Sequence, residues 1–556
     1  MVYTSLRIMG YKVNNLKSNI YNFIMLIFNN KNQIIMKSNI AFKKNVARSF
    51  VQTMITFSLV ISSSEAKTLP QSETNNPRDQ ETLDARIPQS SRYEVTINGK
   101  PVTVYETHVR AELLPQQDGL TTHREGYNHE VASYTMFDVA SEVTVSVTVK
   151  DGVHGVRILP ESSGIVPKVS RNKVTFKMSA PAKLTLLCDE SDAHVLHIWG
   201  GEPQMQTRTE TGSAKRYFAP GYHEIEPMEL ASGETLEVAE GAYLKIKKRT
   251  GDHGVYSERW KVDFLRGAVF NVKDAENVRI CGRGIIDMVD IPHPGYTGIL
   301  LNNARRVRIE GVTLVNAAGW NINLQLSEDV EVRDVRIISA RLNSDGVNTL
   351  NSRNVRIEEC FVRNCDDSFV VKSANPDVPV HNVMVSRCTV WNDWGYALGI
   401  TYETRSTISH VTFKDNAVIY SSNWMLGIYL SDEALVQDIH FENNTLSALP
   451  ERPSDTRELM TKQRKLIKFH IIKDMWSQSA MCGRIQNVTV DGLHIHGTTI
   501  PPGEILGCDK EHNIQNVRFS NITLNGIPVR TLEELGLKMN DFADDVILDF
   551  RLEDFH

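Results

Sequence analysis

From Val278 onward, apolar residues recur in a compound unit rather than at a single period. A β-branched anchor opens each unit: Val278, Val307, Val330, Val355, Val383, Val411, Ile439, Val488 and Val517, at intervals of 29, 23, 25, 28, 28, 28, 49 and 29 residues. Two places further on stand Ile280, Ile309, Val332, Ile357, Val385, Phe413, Phe441, Val490 and Phe519. Seven places on stand Ile285, Leu314, Ile337, Val362, Val390, Val418, Leu446, Ile495 and Leu524. All are apolar. An offset of two is the alternation of a strand with one buried face, and the step to seven requires a bend between two short strands. A unit of this length cannot bury its inner face alone, so it must stack on its neighbours. The pattern predicts a parallel β-helix over residues 236–530, right-handed because parallel crossovers almost always are. Position five of the unit adds rows of its own, with Cys360 beneath Cys388 and Asn416 beneath Asn444. The cysteines are read as packing, because one-rung stacking rarely gives bridging geometry.

The N-terminal half reads differently. Residues 93–105 alternate apolar and polar around Asn98-Gly99, a hairpin signature. Alternating runs at 143–149, 174–178 and 182–187 follow, with turns such as Asp151-Gly152 between them. Short strands at this spacing predict a β-sandwich over 91–200, which as a plain structural element would cap the helix and cover its first coil. The fold class is therefore all-β. Residues 201–235, rich in Gly, Pro and charge, read as a connector. Residues 531–556 read as a C-terminal cap, opened by a short helix at Thr531–Leu535. The interval of 49 marks an insertion at 450–484 with Arg452, Arg457, Lys462, Arg464, Lys465, Lys468 and Trp476. It is either a binding loop on a rigid scaffold or a solvated charged loop.

Composition narrows the function. A net charge of −6 gives no basic footprint for nucleic acid or an anionic membrane surface. Seven cysteines without a Cys-x-x-Cys pair argue against a zinc site or a dense disulfide framework. No later stretch reaches the roughly 18 apolar residues of a membrane span. Lys37, Lys43, Lys44 and Arg48 precede an apolar run at 54–61 and then Ser64-Glu65-Ala66. From Met36 this is a secretory signal with cleavage after Ala66, which predicts a secreted or periplasmic protein. Residues 1–35 become an upstream extension, and polar residues 67–90 a flexible mature N-terminus.

The chemistry concentrates in Asn343-Ser344-Asp345 and Asn364-Cys365-Asp366-Asp367. Asp345 and Asp367 are 22 positions apart, about one coil. On stacked rungs they lie roughly 4.8 Å apart. Three carboxylates this close cannot all ionise at their free pKa values, so one holds a proton near neutral pH. A protonated acid beside ionised partners is what glycosidic-bond hydrolysis requires. The other reading is an acid ladder satisfied by turn amides or a calcium ion.

These motifs resemble the Asn-Thr-Asp and Asp-Asp of the polygalacturonases, glycoside hydrolase family 28, which are right-handed β-helices. The order of a β-sandwich before a β-helix is similar to the dextranase and isopullulanase family, family 49, which shares the three aspartates. The resemblance implies Asp366 as general acid, Asp345 and Asp367 as the residues that hold and deprotonate water, and inversion at the anomeric carbon. Departures bear on the substrate. Where polygalacturonases carry Gly-His-Gly, this chain has Gly395-Tyr396-Ala397. In place of their Arg-Ile-Lys stands Gly427-Ile428-Tyr429, without the cation that binds a uronic carboxylate. A neutral sugar is expected instead, bound on aromatic faces. Candidate substrate-binding residues are Asn343, Lys372 and the aromatics Trp320, Trp391, Trp394, Tyr396, Tyr402, Trp424 and Tyr429, with Glu403, Arg405 and Asp432 as weaker candidates for hydroxyl binding.

The leading expectation is a secreted inverting glycoside hydrolase acting on a polysaccharide or oligosaccharide, with no cofactor and no metal. The alternatives are a polygalacturonase-type pectin hydrolase, a polysaccharide lyase of the same fold, and a non-catalytic carbohydrate-binding solenoid.

Overall fold

The computed structural model describes residues 85–111, 114–115, 121–122, 129–188, 194–203, 215–257, 262–448 and 464–550. Among them every regular element is a strand, apart from one 3-10 turn at Glu161–Ser163. The extension, the signal segment and most of the flexible N-terminus lie outside the described residues, as do Arg452, Arg457 and Lys462 of the insertion.

The C-terminal part is a parallel β-helix. Two sheets run its length, one of 21 strands and one of 11, and each coil places its strands directly over those of the coil before. The anchors stack in register: Val307 on Val330, Val330 on Val355, then Val383, Val411, Ile439, Val488 and Val517 in turn. The +2 residues fill one continuous apolar core, in which Phe413 and Phe441 stack at 5.0 Å. The +5 row is hydrogen-bonded. Asn416 accepts the Cys388 amide and donates to Asn444 Oδ1 at 3.1 Å, while Cys360 and Cys388 remain buried thiols.

Several boundaries move. The expected connector holds the first coil: Lys215–Phe218, Gly221–Ile225 and Met228–Glu229 all pair in the two helical sheets. Arg216 stands there at the place that Leu236 fills in the next coil, which hides the unit. At the other end Ala543–Asp549 adds a last rung, and 531–535 is a turn rather than a helix. Ile286, not Ile285, lies under Leu314. The Gly282–Gly284 bend adds one residue, so Ile285 faces outward and packs in another cluster. The insertion also divides, because Lys465–Ile471 is an ordinary rung of the 11-stranded sheet. The loop after it ends in a Cys482–Cys508 disulfide, which the thinly spread cysteines did not disclose.

Between residues 93 and 201, two five-stranded sheets share one apolar core that includes Val145, Phe176, Leu186 and Ile198. This unit covers more than the first coil. Tyr134 and Trp199 pack with Tyr243, Ile338, Phe361, Trp391 and Tyr420, which come from coils spread along the helix. Ion pairs frame the contact, with Lys183 on Asp334 and Arg283 on Asp138. Below them a buried Arg363 binds Asp393 Oδ2 at 3.1 Å and donates to His197 Nε2 at 3.3 Å. Burial, then the Arg363 charge, holds His197 well below its ordinary pKa and keeps it a neutral acceptor.

Candidate active site

The strand Val347–Leu350 pairs with Phe369–Ser373 so that Val347 meets Phe369. That register sets Asp345 and Asp367 at the same place on successive coils, just before their strands. Both acid turns are pinned by asparagine amides. Asn364 Nδ2 donates to the carbonyls of Ser344, Asp366 and Asp367 at 2.8–3.0 Å. Asn321 reaches the carbonyls of Ser344 and Asp345, and Asn392 that of Asp366. Gly395 lies against the acid pair with φ +101°. A Cβ there would stand 2.5 Å from the Asp366 carbonyl carbon.

The three carboxylates converge, with one oxygen from each within 4.8 Å of the others. Asp345 and Asp367 are buried, at 2% and 1% exposure, whereas Asp366 is partly open. Asp366 Oδ1 accepts the Asp367 amide at 2.9 Å and Oδ2 the Asn343 amide at 3.1 Å. Asp367 accepts from the Tyr396 amide and from Thr401 Oγ1. Asp345 Oδ2 accepts from Asn348, while its Oδ1 is buried without a partner among the described residues.

Among the described residues, one cation is paired with this cluster. Lys372 Nζ lies 3.3 Å from Asp367, 3.3 Å from Glu403 and 3.7 Å from Asp345. Burial alone would lower its pKa, but Glu403, Asp367, Asp345 and Asp366 outweigh burial and raise it well above the ordinary value. Four carboxyl groups against one ammonium leave excess negative charge, which proton uptake relieves. Burial, then Asp367, pushes Asp366 up to about 7. Burial, then Asp366, raises Asp345 as well, with Lys372 opposing. The titrations of Asp345 and Asp366 are linked.

The candidate binding residues divide. Trp320 and Tyr402 flank Lys372, with ring centroids 5.2 and 5.9 Å from its ammonium. Tyr402, Trp424, Tyr429 and the fully buried Tyr396 form an aromatic cluster beside the acids, with Tyr402 and Tyr429 centroids 4.9 Å apart and those of Tyr396 and Trp424 3.9 Å apart. Tyr402 is partly exposed, whereas Trp424 and Tyr429 are buried at 6% and 7% exposure. Trp394 is partly exposed at the turn before Gly395. The Asn343 contact to the site is its backbone amide. Trp391 is a correction: it lies on the other side of the coil, sealed under the two-sheet unit against Tyr420 and Arg363. Asp432 is another, being wholly buried and spent on the amides of Gln478 and Ser479. Arg405 pairs with Glu433.

Thr401 and Asn348 escaped sequence reasoning, since only the register shows that they face the acids. Lys468 was assigned to the insertion. It lies one rung beyond Gly427 with its ammonium 3.4 Å from the Trp424 centroid and 4.9 Å from that of Tyr429. Burial lowers its pKa to about 8.

Residues 296–455, which include all three acids, match the family model described as glycosyl hydrolases family 28. Among curated proteins, the chain is 23% identical over 152 residues to a probable polygalacturonase of Vitis vinifera, covering 26% of this chain and 31% of that protein. It is 22% identical over 358 residues to a probable exopolygalacturonase B of Emericella nidulans, covering 58% and 70%. The chain thus spans about a third of the length of the first and over two thirds of the second. Among solved structures it is similar to Dex49A from Penicillium minioluteum, with a TM-score of 0.55 and 14% identity over 83% of this chain and 95% of that one. The likeness drawn from Asn343-Ser344-Asp345 and Asp366-Asp367 therefore holds: the chain is polygalacturonase-like in sequence around its acids, and similar to Dex49A in fold.

Proposed function

We propose that this polygalacturonase-like chain is an exported hydrolase that cleaves O-glycosidic bonds of a polysaccharide or oligosaccharide. The observation that carries the reading is the acid trio itself: three convergent carboxylates, one of them partly open to the groove and pushed up to about 7. A carboxyl of that pKa holds a proton near neutral pH and can release it to a leaving oxygen. Asp366 is the general acid. Asp345 and Asp367 hold the attacking water and, as the family likeness implies, take its proton. Lys372, whose ammonium lies against both acids, opposes the rise at Asp345. We take the helix as right-handed and the two-sheet unit as a β-sandwich that stiffens the coils behind the site.

Inversion at the anomeric carbon is part of the proposal and rests on the family likeness. The trio is tighter than the roughly 6.5–9.5 Å spacing of two-carboxylate inverting sites, so the stereochemical course is the sharpest check. The test is a glycan panel with NMR of the first product. Release of the inverted anomer by the wild type, lost in Asp366→Asn, supports the reading. Retained turnover in that variant removes Asp366 from its role.

The aromatic cluster suits the apolar faces of a neutral sugar. A second reading, a uronic acid polymer as in the names of the relatives, draws on Lys468. Its ammonium stands over Trp424 and Tyr429, beside the place where the expected cation is missing. Cleavage of polygalacturonate but not of dextran would select this reading.

A further inference from the structure

The loop at 472–483 is held with more fixings than its own packing requires. Asp432 Oδ1 accepts the amides of Gln478 and Ser479 at 2.6 and 2.8 Å. Lys473 donates to the carbonyls of Ser431, Ser479 and Met481. Its far end is bridged to the next coil through Cys482–Cys508. Of these contacts only the Cys482–Cys508 bridge packs against the apolar core. Ile472, Met475 and Met481 are exposed, at 37%, 75% and 62%.

What the fixings position is a wall of the groove. Asp474 accepts the Tyr429 hydroxyl at 2.9 Å and, through its other oxygen, the amide of Trp476. That bond orients the segment carrying the partly exposed Trp476, whose ring lies 6.0 Å from Tyr402 at 63°. Tyr402 in turn lies 5.9 Å from the Lys372 ammonium among the acids. Trp476 is thus one aromatic ring removed from the charged centre, and it comes from the loop rather than the aromatic cluster. An indole held there with exposed apolar neighbours fits a sugar ring, since aromatic side chains present a large apolar face at small entropic cost.

We propose that Trp476 is a sugar-stacking residue on a side wall of the groove, and that the Cys482–Cys508 bridge, together with Asp474, is the device that holds it in place. The proposal rests on the hydrolase reading for its biological sense, but binding tests it without turnover. The full chain carrying Asp366→Asn is run in affinity gels cast with dextran, with polygalacturonate or with arabinogalactan. At least one of these should retard it. Adding Trp476→Ala should weaken the retardation about tenfold or more, and Trp476→Phe should keep most of it. Cys482→Ser with Cys508→Ser should weaken it in the same direction, with thermal melting used to show that the coils remain folded. Equal retardation of the Trp476→Ala protein overturns the proposal, and so does the failure of all three glycans to retard the parent. Turnover by the wild type on the same glycans reports on the hydrolase reading separately. Hydrolysis with unchanged binding in Trp476→Ala sinks the wall and spares the enzyme, whereas Trp476-dependent binding without hydrolysis does the reverse.

Discussion

The backbone N–H of Asn343 donates to the carboxylate of Asp366 across one coil, 3.1 Å away. The turn that carries the first acid thereby holds the second. Asn343 can do this because it sits at φ 56°, a left-handed conformation that asparagine tolerates better than most residues. The same carboxylate accepts the next amide in its own chain, so Asp366 is fixed from both sides while part of it stays open to the groove.

Asp366 should govern the pH profile. A general acid must be protonated to act, so kcat/KM should fall as pH rises through about 7. The raised value also bears on stability. Between about 4 and about 7 the folded chain holds a proton that the unfolded chain has released, so stability should fall as pH rises across that window. Asp366→Asn should lower turnover by about 10²–10⁴ and flatten the stability slope. A rate profile that stays level from pH 6 to 8.5 would contradict the assignment.

Lys372→Met removes the cation lodged among Asp345, Asp367 and Glu403. Uncompensated buried charge costs about 3–5 kcal/mol, so urea unfolding should show a loss of that order at pH 7. Acid should restore part of it, because protonation then does what the ammonium did. A variant as stable as the parent at pH 7 would show that the acids are already neutral without Lys372.

At Gly395 the backbone is the constraint. With φ at +101° and the Asp366 carbonyl carbon 2.5 Å from where a Cβ would stand, Gly395→Ala must shift the acid pair. We expect a loss of about 1–3 kcal/mol together with a drop in turnover larger than the stability loss explains at the assay temperature. Unchanged activity would mean that the acid turn tolerates displacement.

Asn416→Ala tests the ladder at the bend. Asn416 accepts the Cys388 amide at 2.9 Å and donates to Val385 O and Asn444 Oδ1 at 3.0 and 3.1 Å. Leaving those buried groups unpaired should cost about 2–4 kcal/mol, read as a lower urea midpoint, with turnover per folded molecule unaltered.

The coils were legible because alternation leaves its mark wherever one strand face meets the core, as at Val330 and Val332 or Val355 and Ile357. The acids were legible because a one-coil spacing converts sequence distance into contact. The first coil was not, since Arg216 occupies the place that Leu236 fills in the next coil. Trp391 and Trp424 look alike in the sequence, yet one is sealed with Trp199 and Phe361 under the two-sheet unit and the other packs in the aromatic cluster beside the acids. Which side of a coil a partner domain covers is settled by tertiary packing, and the local pattern carries no record of it. Lys468 was misplaced for a related reason: counted along the chain it falls in an insertion, but the ladder sets it beside Gly427.

The bridge from Cys482 to Cys508 has a mechanical meaning. A stacked array melts by fraying from its ends, because each terminal coil has a neighbour on one side only. A covalent link between the coil of Lys465–Ile471 and the coil of Gly503–Leu506 forbids those two from peeling apart one at a time. Unravelling from the C-terminal side can take the last rung, Ala543–Asp549, and then the coil of Ile514–Leu524 and Leu537–Met539, and must then stop or lift both stapled coils together. The acid-bearing coils, several rungs further in, are insulated from that loss.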